Sequence, residues 1–232
     1  MCLIATLLLA VSDMPQFGVR DPNKAEVADR YTEQGMVETG AVNTVAGMIL
    51  DYRAFDTLGE SFVLFTALNC VLILLRRDKK YTPDVVSDYD LTRDPILHTG
   101  TSLLVPCVII YGIYILLNGH LSPGGGFSGG AILGAGFILF SIAYGFKTVD
   151  RFMSAKFFSV TSCISLLFYC LSKSYSFFVG ANHLDSIVST GNPGDIISAG
   201  LILPLNIAVG LVVTCTMYGI YSLFKRGQIG HD

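Results

Sequence analysis

The chain has 232 residues, of which 52% are hydrophobic and only 14% charged, and its mean hydropathy is +0.58. These values exclude an ordinary soluble domain and describe a polytopic membrane protein. A net charge of −3 argues against a nucleic-acid surface, and six scattered cysteines with no C-x-x-C spacing argue against a disulfide framework or a metal site.

In chain order, the first apolar run, residues 2–11, is too short to cross a bilayer alone, since about 20 residues are needed. It has no basic n-region, although Ala10-Val11-Ser12 faintly resembles a cleavage site. A short first span and a membrane-inserted anchor are both open. Residues 13–55 are polar and mixed in charge. Asp21-Pro22-Asn23 predicts a turn, followed by a short amphipathic helix over 24–36 that Gly35 and Gly40 interrupt. Residues 43–52 are apolar again and suit the interface.

The next span runs over about 56–75, and to reach bilayer length it must include Asp56 and Glu60. These carboxylates are four apart and share a face, as does Arg53, seven before Glu60. A carboxylate at membrane depth normally faces a partner or a wet cavity, but one at headgroup level merely anchors its helix. Both roles are open for Glu60. The run Arg76-Arg77-Asp78-Lys79-Lys80 then opens a polar linker to Asp94-Pro95, the clearest break in composition. It reads as a topology signal.

Four further spans are predicted over about 98–117, 127–146, 157–179 and 196–224. Asp195 is the expected N-cap of the last, and Pro204 with Asn206 predicts a kink near one-third of its length. The fold class is therefore all-α, with about six membrane helices. Placing 76–93 inside and alternating puts ten of the fifteen Lys and Arg residues in inner segments. The positive-inside rule then makes both termini cytoplasmic.

Between the third and fourth spans lies Gly119-His120-Leu121-Ser122-Pro123-Gly124-Gly125-Gly126-Phe127-Ser128-Gly129-Gly130. Proline followed by three glycines cannot continue a helix. Because hydrocarbon satisfies no free N–H or C=O, the turn belongs at the interface or inside protein. We expect a tight re-entry whose glycines let another backbone approach. Gly130 and Gly134 form a G-x-x-x-G, extended by Gly136, which close helix packing explains without a transport role.

Two other polar positions are candidates for ion chemistry. Lys173, in Ser172-Lys173-Ser174-Tyr175-Ser176, either snorkels to the outer headgroups or joins the neighbouring hydroxyls in a proton path. His120 is either a proton relay at the outer surface or a loop histidine bonded to a carbonyl. No nucleophile–base pair, P-loop pattern or cluster of metal ligands marks the chain as a catalyst.

The glycine stretch, with its pattern N-G-H-x-S-P-G-G-G-F-x-G-G, resembles the signature of the MnhB/MrpB-type component of Mrp multi-subunit Na+/H+ antiporters and of its counterpart in membrane-bound hydrogenases. Residues 43–76, containing Asp51-Tyr52-Arg53-Ala54-Phe55-Asp56-Thr57-Leu58-Gly59-Glu60, are similar to the C-terminal region of MrpA, which the hydrogenases carry as a small separate subunit (MbhE). The resemblance implies an MrpA-tail module over 1–80, a cytoplasmic linker over 81–95 and an MrpB-type four-helix module over 96–226. It implies a non-catalytic subunit of an antiporter or redox-driven complex in the plasma membrane of a prokaryote, with no cofactor of its own and Na+ or H+ as transported ion. Partners would be antiporter-like membrane subunits, and hydrogenase-type peripheral subunits in a redox-driven complex. The ion-path candidates are Glu60, Asp56, Lys173 and His120. Pro123, Gly124, Gly125, Gly126 and Phe127 would shape the turn, with Gly130 and Gly134 packing beside it. The alternative is a hydrogenase subunit that acts only as scaffold.

Overall fold

The computed structural model describes residues 2–14, 26–75, 94–184 and 186–226, and among these it is helical with no strand. A short helix α1 (Cys2–Ser12) comes first, followed by α2 (Glu26–Asp29), a π-helical stretch Arg30–Gln34, and α3 (Gly35–Thr39). Then come α4 (Thr44–Gly47), a second π-helical stretch Met48–Tyr52, and α5 (Ala54–Leu74). The second half holds α6 (Pro95–Leu117), α7 (Gly126–Tyr144), α8 (Phe146–Phe152), α9 (Ala155–Ala181) and α10 (Ile202–Arg226). Five helices are long and apolar enough to cross a membrane: α5, α6, α7, α9 and α10. The 11 residues of α1 fall short of that length, so it does not by itself supply a sixth crossing. The basic cluster, the linker over 81–93 and the turn at 21–23 lie outside the described residues.

Helix α10 is the centre of the bundle, packing against α7, α9, α5 and α6, while α6 packs on α7. Lipid is as apolar as leucine, so helix association there depends on close packing and interhelical hydrogen bonds. The glycines supply that closeness. A Cβ on Gly130 would stand 2.6 Å from the Gly210 carbonyl oxygen of α10, and one on Gly134 would stand 2.8 Å from Met217 Cβ. On the other flank of α7, Gly129 lies against Leu116 and the Gly112 carbonyl of α6. The two halves share a core in which Leu50 and Leu58 meet Tyr169, Leu205 and Val209.

Three local expectations are corrected. Helix α10 begins at Ile202, six residues later than expected, because residues 186–200 form a looped cap with positive φ at Gly191, Gly194, Ala199 and Gly200. Asp195 is therefore not its N-cap. Pro204 consequently falls in the first turn, where a missing N–H costs no intrahelical bond, and it need not kink the helix. Gly35 does not interrupt the amphipathic segment but continues it from the π-helical stretch into α3, and the break comes at Gly40 (φ +71°).

Candidate functional site

The connection between α6 and α7 is the tight turn that proline and the glycines require. Gly124 (φ +145°) and Gly125 (φ +136°) occupy backbone conformations that side chains of L-residues rarely adopt. A Cβ on Gly119 would stand 2.6 Å from Gly125 Cα, so the turn closes on itself through bare backbone. Asn206 of α10 holds it there, its Oδ1 accepting from the Gly126 N–H at 2.9 Å. Phe127 packs against the shared core, and Pro123 is exposed at the tip.

The first half of the chain grips the same turn. Asn43 Nδ2 donates to the Gly119 and Ser122 carbonyls, both at 2.9 Å, and the Asn43 N–H donates to the His120 carbonyl at 3.0 Å. Its Oδ1 meanwhile caps α4 by accepting from the Val45 and Ala46 N–H groups. His120 is fully buried. Its Nε2 donates to the Asp195 carbonyl at 3.2 Å, tying the 186–200 cap to the turn, while Nδ1 has no partner among the described residues. The histidine thus sits inside a joint between segments, sealed from the surface.

The charged candidates are not gathered into one site but divide between two ion pairs and an exposed carboxylate. Lys173 of α9 is 3% exposed, and its Nζ lies 2.9 Å from Asp51 Oδ1 in the second π-helical stretch. It is buried and paired, so the snorkelling reading is corrected. Its neighbouring hydroxyls do not form the expected chain: Ser176 donates to the Ser172 carbonyl, and Tyr175 accepts from the Ile187 N–H. One turn along α9, the Tyr169 hydroxyl donates to the Ala54 carbonyl at 2.9 Å. Glu60 itself is exposed on α5. Asp56 forms an exposed ion pair with Arg53 at 2.6 Å, so Arg53 is engaged one turn before Glu60.

The amphipathic segment is clasped to the second π-helical stretch by Glu38, which accepts from Arg30 at 3.0 Å and from the Tyr52 hydroxyl. The bonds from Arg30 and then Tyr52 hold the Glu38 carboxyl below its ordinary range. Burial, and next the bond to Glu38, push the Tyr52 hydroxyl up to about 12. A lowered carboxylate stabilises the fold above its ordinary value of 4.5 and loses that contribution as pH falls through the lowered one. A raised phenol stabilises below its ordinary value of 10.0 and loses that contribution as pH rises toward about 12. Hydrogen exchange at the 30–39 amides, corrected for intrinsic rates, should therefore be slow at neutral pH and faster at both extremes. Glu38→Gln should remove the acid limb, and an unchanged acid limb would refute the assignment.

Sequence reasoning missed Asp51 and Asn43. Asp51 opens the D-Y-R-A-F-D-T-L-G-E run, yet its partner is 122 residues away. Among the described residues no group of three or more His, Cys, Asp or Glu is placed to hold a metal.

Comparison with known proteins follows the same two halves. Residues 96–219 match the family model described as a domain related to the MnhB subunit of Na+/H+ antiporter, and residues 6–88 match the MbhE model, which describes a subunit of MBH. An uncharacterised protein of Methanocaldococcus jannaschii is 34% identical over 190 residues, covering 74% of this chain and 72% of that one. A Na(+)/H(+) antiporter subunit of Bacillus subtilis, the one designated B, is 38% identical over 93 residues, 40% of this chain and 64% of that protein, just under two thirds of its length. Among solved structures, the membrane-bound sulfane sulfur reductase, an archaeal respiratory membrane complex, contains a chain that superposes with a TM-score of 0.70 at 31% identity, covering 95% of this chain and 93% of that one.

Proposed function

Since the chain belongs to the family of domains related to the MnhB subunit of Na+/H+ antiporters, we propose that it is a non-catalytic subunit of an ion-translocating membrane complex and lines part of its cation or proton path. The observation that carries this reading is the Lys173–Asp51 ion pair, which seats a buried ammonium of α9 against a carboxylate just before α5. Ionisable groups at membrane depth are expensive and serve a partner or a pathway. Here one is neutralised inside the chain, and the other, Glu60, is presented to a neighbouring subunit. The likeness to a chain of an archaeal respiratory complex supports a redox-driven parent in the plasma membrane of a prokaryote. The end bearing α8, Lys156 and Lys225 is assigned to the cytoplasm by its basic residues.

Glu60→Gln keeps shape and removes charge. In vesicles holding the whole complex it should abolish sodium or proton transport while the complex still assembles. Unchanged transport would leave only the scaffold role. A mass-spectrometric inventory of the proteins in the native complex identifies the parent: redox subunits mark a redox-driven complex, a nickel protein among them marks a hydrogenase, and the absence of all of them marks a stand-alone antiporter.

A further inference from the structure

One face of α9 is polar along much of its length. Lys173, Tyr169, Ser165 and Ser162 recur at spacings of four, four and three, and they are 3, 1, 6 and 1% exposed. That spacing stacks them on one helix face over about 16 Å. The face is turned into the junction with α5 and α10. Lys173 pairs with Asp51 just before α5, Tyr169 reaches the Ala54 carbonyl, and Ser162 lines a cavity together with Cys215 of α10.

Small hydroxyl residues on a membrane helix ordinarily serve packing, and they silence themselves by donating to a carbonyl a turn earlier. Ser61 does so, donating to the Thr57 carbonyl at 2.9 Å. Ser162 does not. Its buried Oγ has no partner of hydrogen-bonding geometry among the described residues, a condition that costs about 1–3 kcal/mol unless water relieves it. A cavity of about 60 Å³ opens where it is needed, lined by Ser162, Asn69, Ser159, Ser222 and Asp150 as well as apolar side chains. That is room for roughly two waters. Asp150, exposed on α8, stands at the end of the bundle opposite the Lys173–Asp51 pair.

We propose that the α5/α9/α10 junction is a proton wire internal to this subunit, running from Asp150 through water held at Ser162, past Ser165 and Tyr169, to the Lys173–Asp51 pair. It rests on the ion-path reading above and adds the transported species and the route. Each hop breaks an O–H bond at one group and forms one at the next, so the hydroxyls of Ser162, Ser165 and Tyr169, about 5–6 Å apart along the helix, are joined through water. Tyr169 turns its O–H away from the Ala54 carbonyl to relay, and Asp51 is the terminal acceptor, because a charged Lys173 only donates. The hydroxyls arrive one per helical turn, whereas a hard metal cation needs several oxygens at once. The geometry therefore suits a proton and not sodium.

The test uses the intact complex in vesicles with a pH-sensitive dye. Ser162→Val and Ser165→Val should each slow proton transport by about tenfold with the subunit composition unchanged, and Ser162→Thr should restore it. Should a valine variant not assemble, the alanine variants together serve the same purpose, since they remove only the oxygens. Wild-type transport by the serine variants in an intact complex overturns the wire. If those variants transport normally while Glu60→Gln does not, the wire fails and the ion-path reading stands. If Glu60→Gln is also silent, both fail.

Discussion

Asp51→Ala should damage the protein far more than Lys173→Met, although each deletes one member of the same ion pair. The reason is the asymmetry of burial: the Lys173 side chain is 4% exposed and that of Asp51 is 43% exposed. Removing Asp51 leaves an ammonium sealed among helices with no counter-charge, for which breaking a buried pair costs about 3–5 kcal/mol. The half-exposed carboxylate places the expected value near the lower end, about 3 kcal/mol. Removing Lys173 leaves a carboxylate that water can still reach, and methionine fills the vacated volume with an unbranched chain. Asp51→Ala should therefore lower the yield of assembled complex severalfold, whereas Lys173→Met should assemble near normally and lose ion transport. The double variant Asp51→Ala/Lys173→Met should assemble better than Asp51→Ala alone. Equal yields from the two single variants would show that the pair is not buried.

That asymmetry was not readable from the chain. The five long helices were, because each is a predominantly apolar run of bilayer length with few charges, and such patterns are local. The re-entry at residues 119–126 was also readable, since proline and three glycines in hydrocarbon-soluble surroundings leave a backbone few choices. Lys173 stood out as a cation in an apolar segment. Its partner did not, because Asp51 ends an apolar run at the interface and is followed by Asp56 and Glu60, so that it carries no local mark, and only tertiary packing brings the two together. Asn43 was hidden for the same reason: in the chain it only opens an apolar stretch, and its grip on Gly119 and Ser122 crosses from one half of the chain to the other. The start of α10 was misjudged because Asn192-Pro193-Gly194-Asp195 is a strong local start signal. The folded chain instead uses Asp195 through its backbone carbonyl, which receives His120 and Ser198.

The second large effect should come from Gly130→Ala, a change that local helix energetics alone would favour. Alanine in place of glycine stabilises a helix interior by about 1 kcal/mol. At Gly180 of α9 the added Cβ meets nothing within 4 Å, so Gly180→Ala should leave complex yield unchanged or slightly raised. At Gly130 the same atom would stand 2.6 Å from the Gly210 carbonyl oxygen and 2.8 Å from Val213 Cβ. Neither is the free end of a flexible side chain, so α7 and α10 must separate. That separation would strain the Thr214 hydroxyl bond to the Gly130 carbonyl at 3.1 Å. Overpacking of this kind costs about 1–3 kcal/mol, enough to reverse the helical gain at a joint the central helix depends on. Gly210→Ala, on the facing helix, has its closest clash with the end of the Leu116 side chain. That side chain can turn away, so the variant should be milder. At the turn itself, Gly125→Val combines a β-branched side chain with a φ of +136° and a Cβ 3.1 Å from Asn206 Oδ1, and it should abolish assembly. The expected order of yield is Gly180→Ala, then Gly210→Ala, then Gly130→Ala, then Gly125→Val, measured as intact complex recovered from membranes. Wild-type yield from Gly130→Ala would mean that α7 and α10 do not touch backbone to backbone.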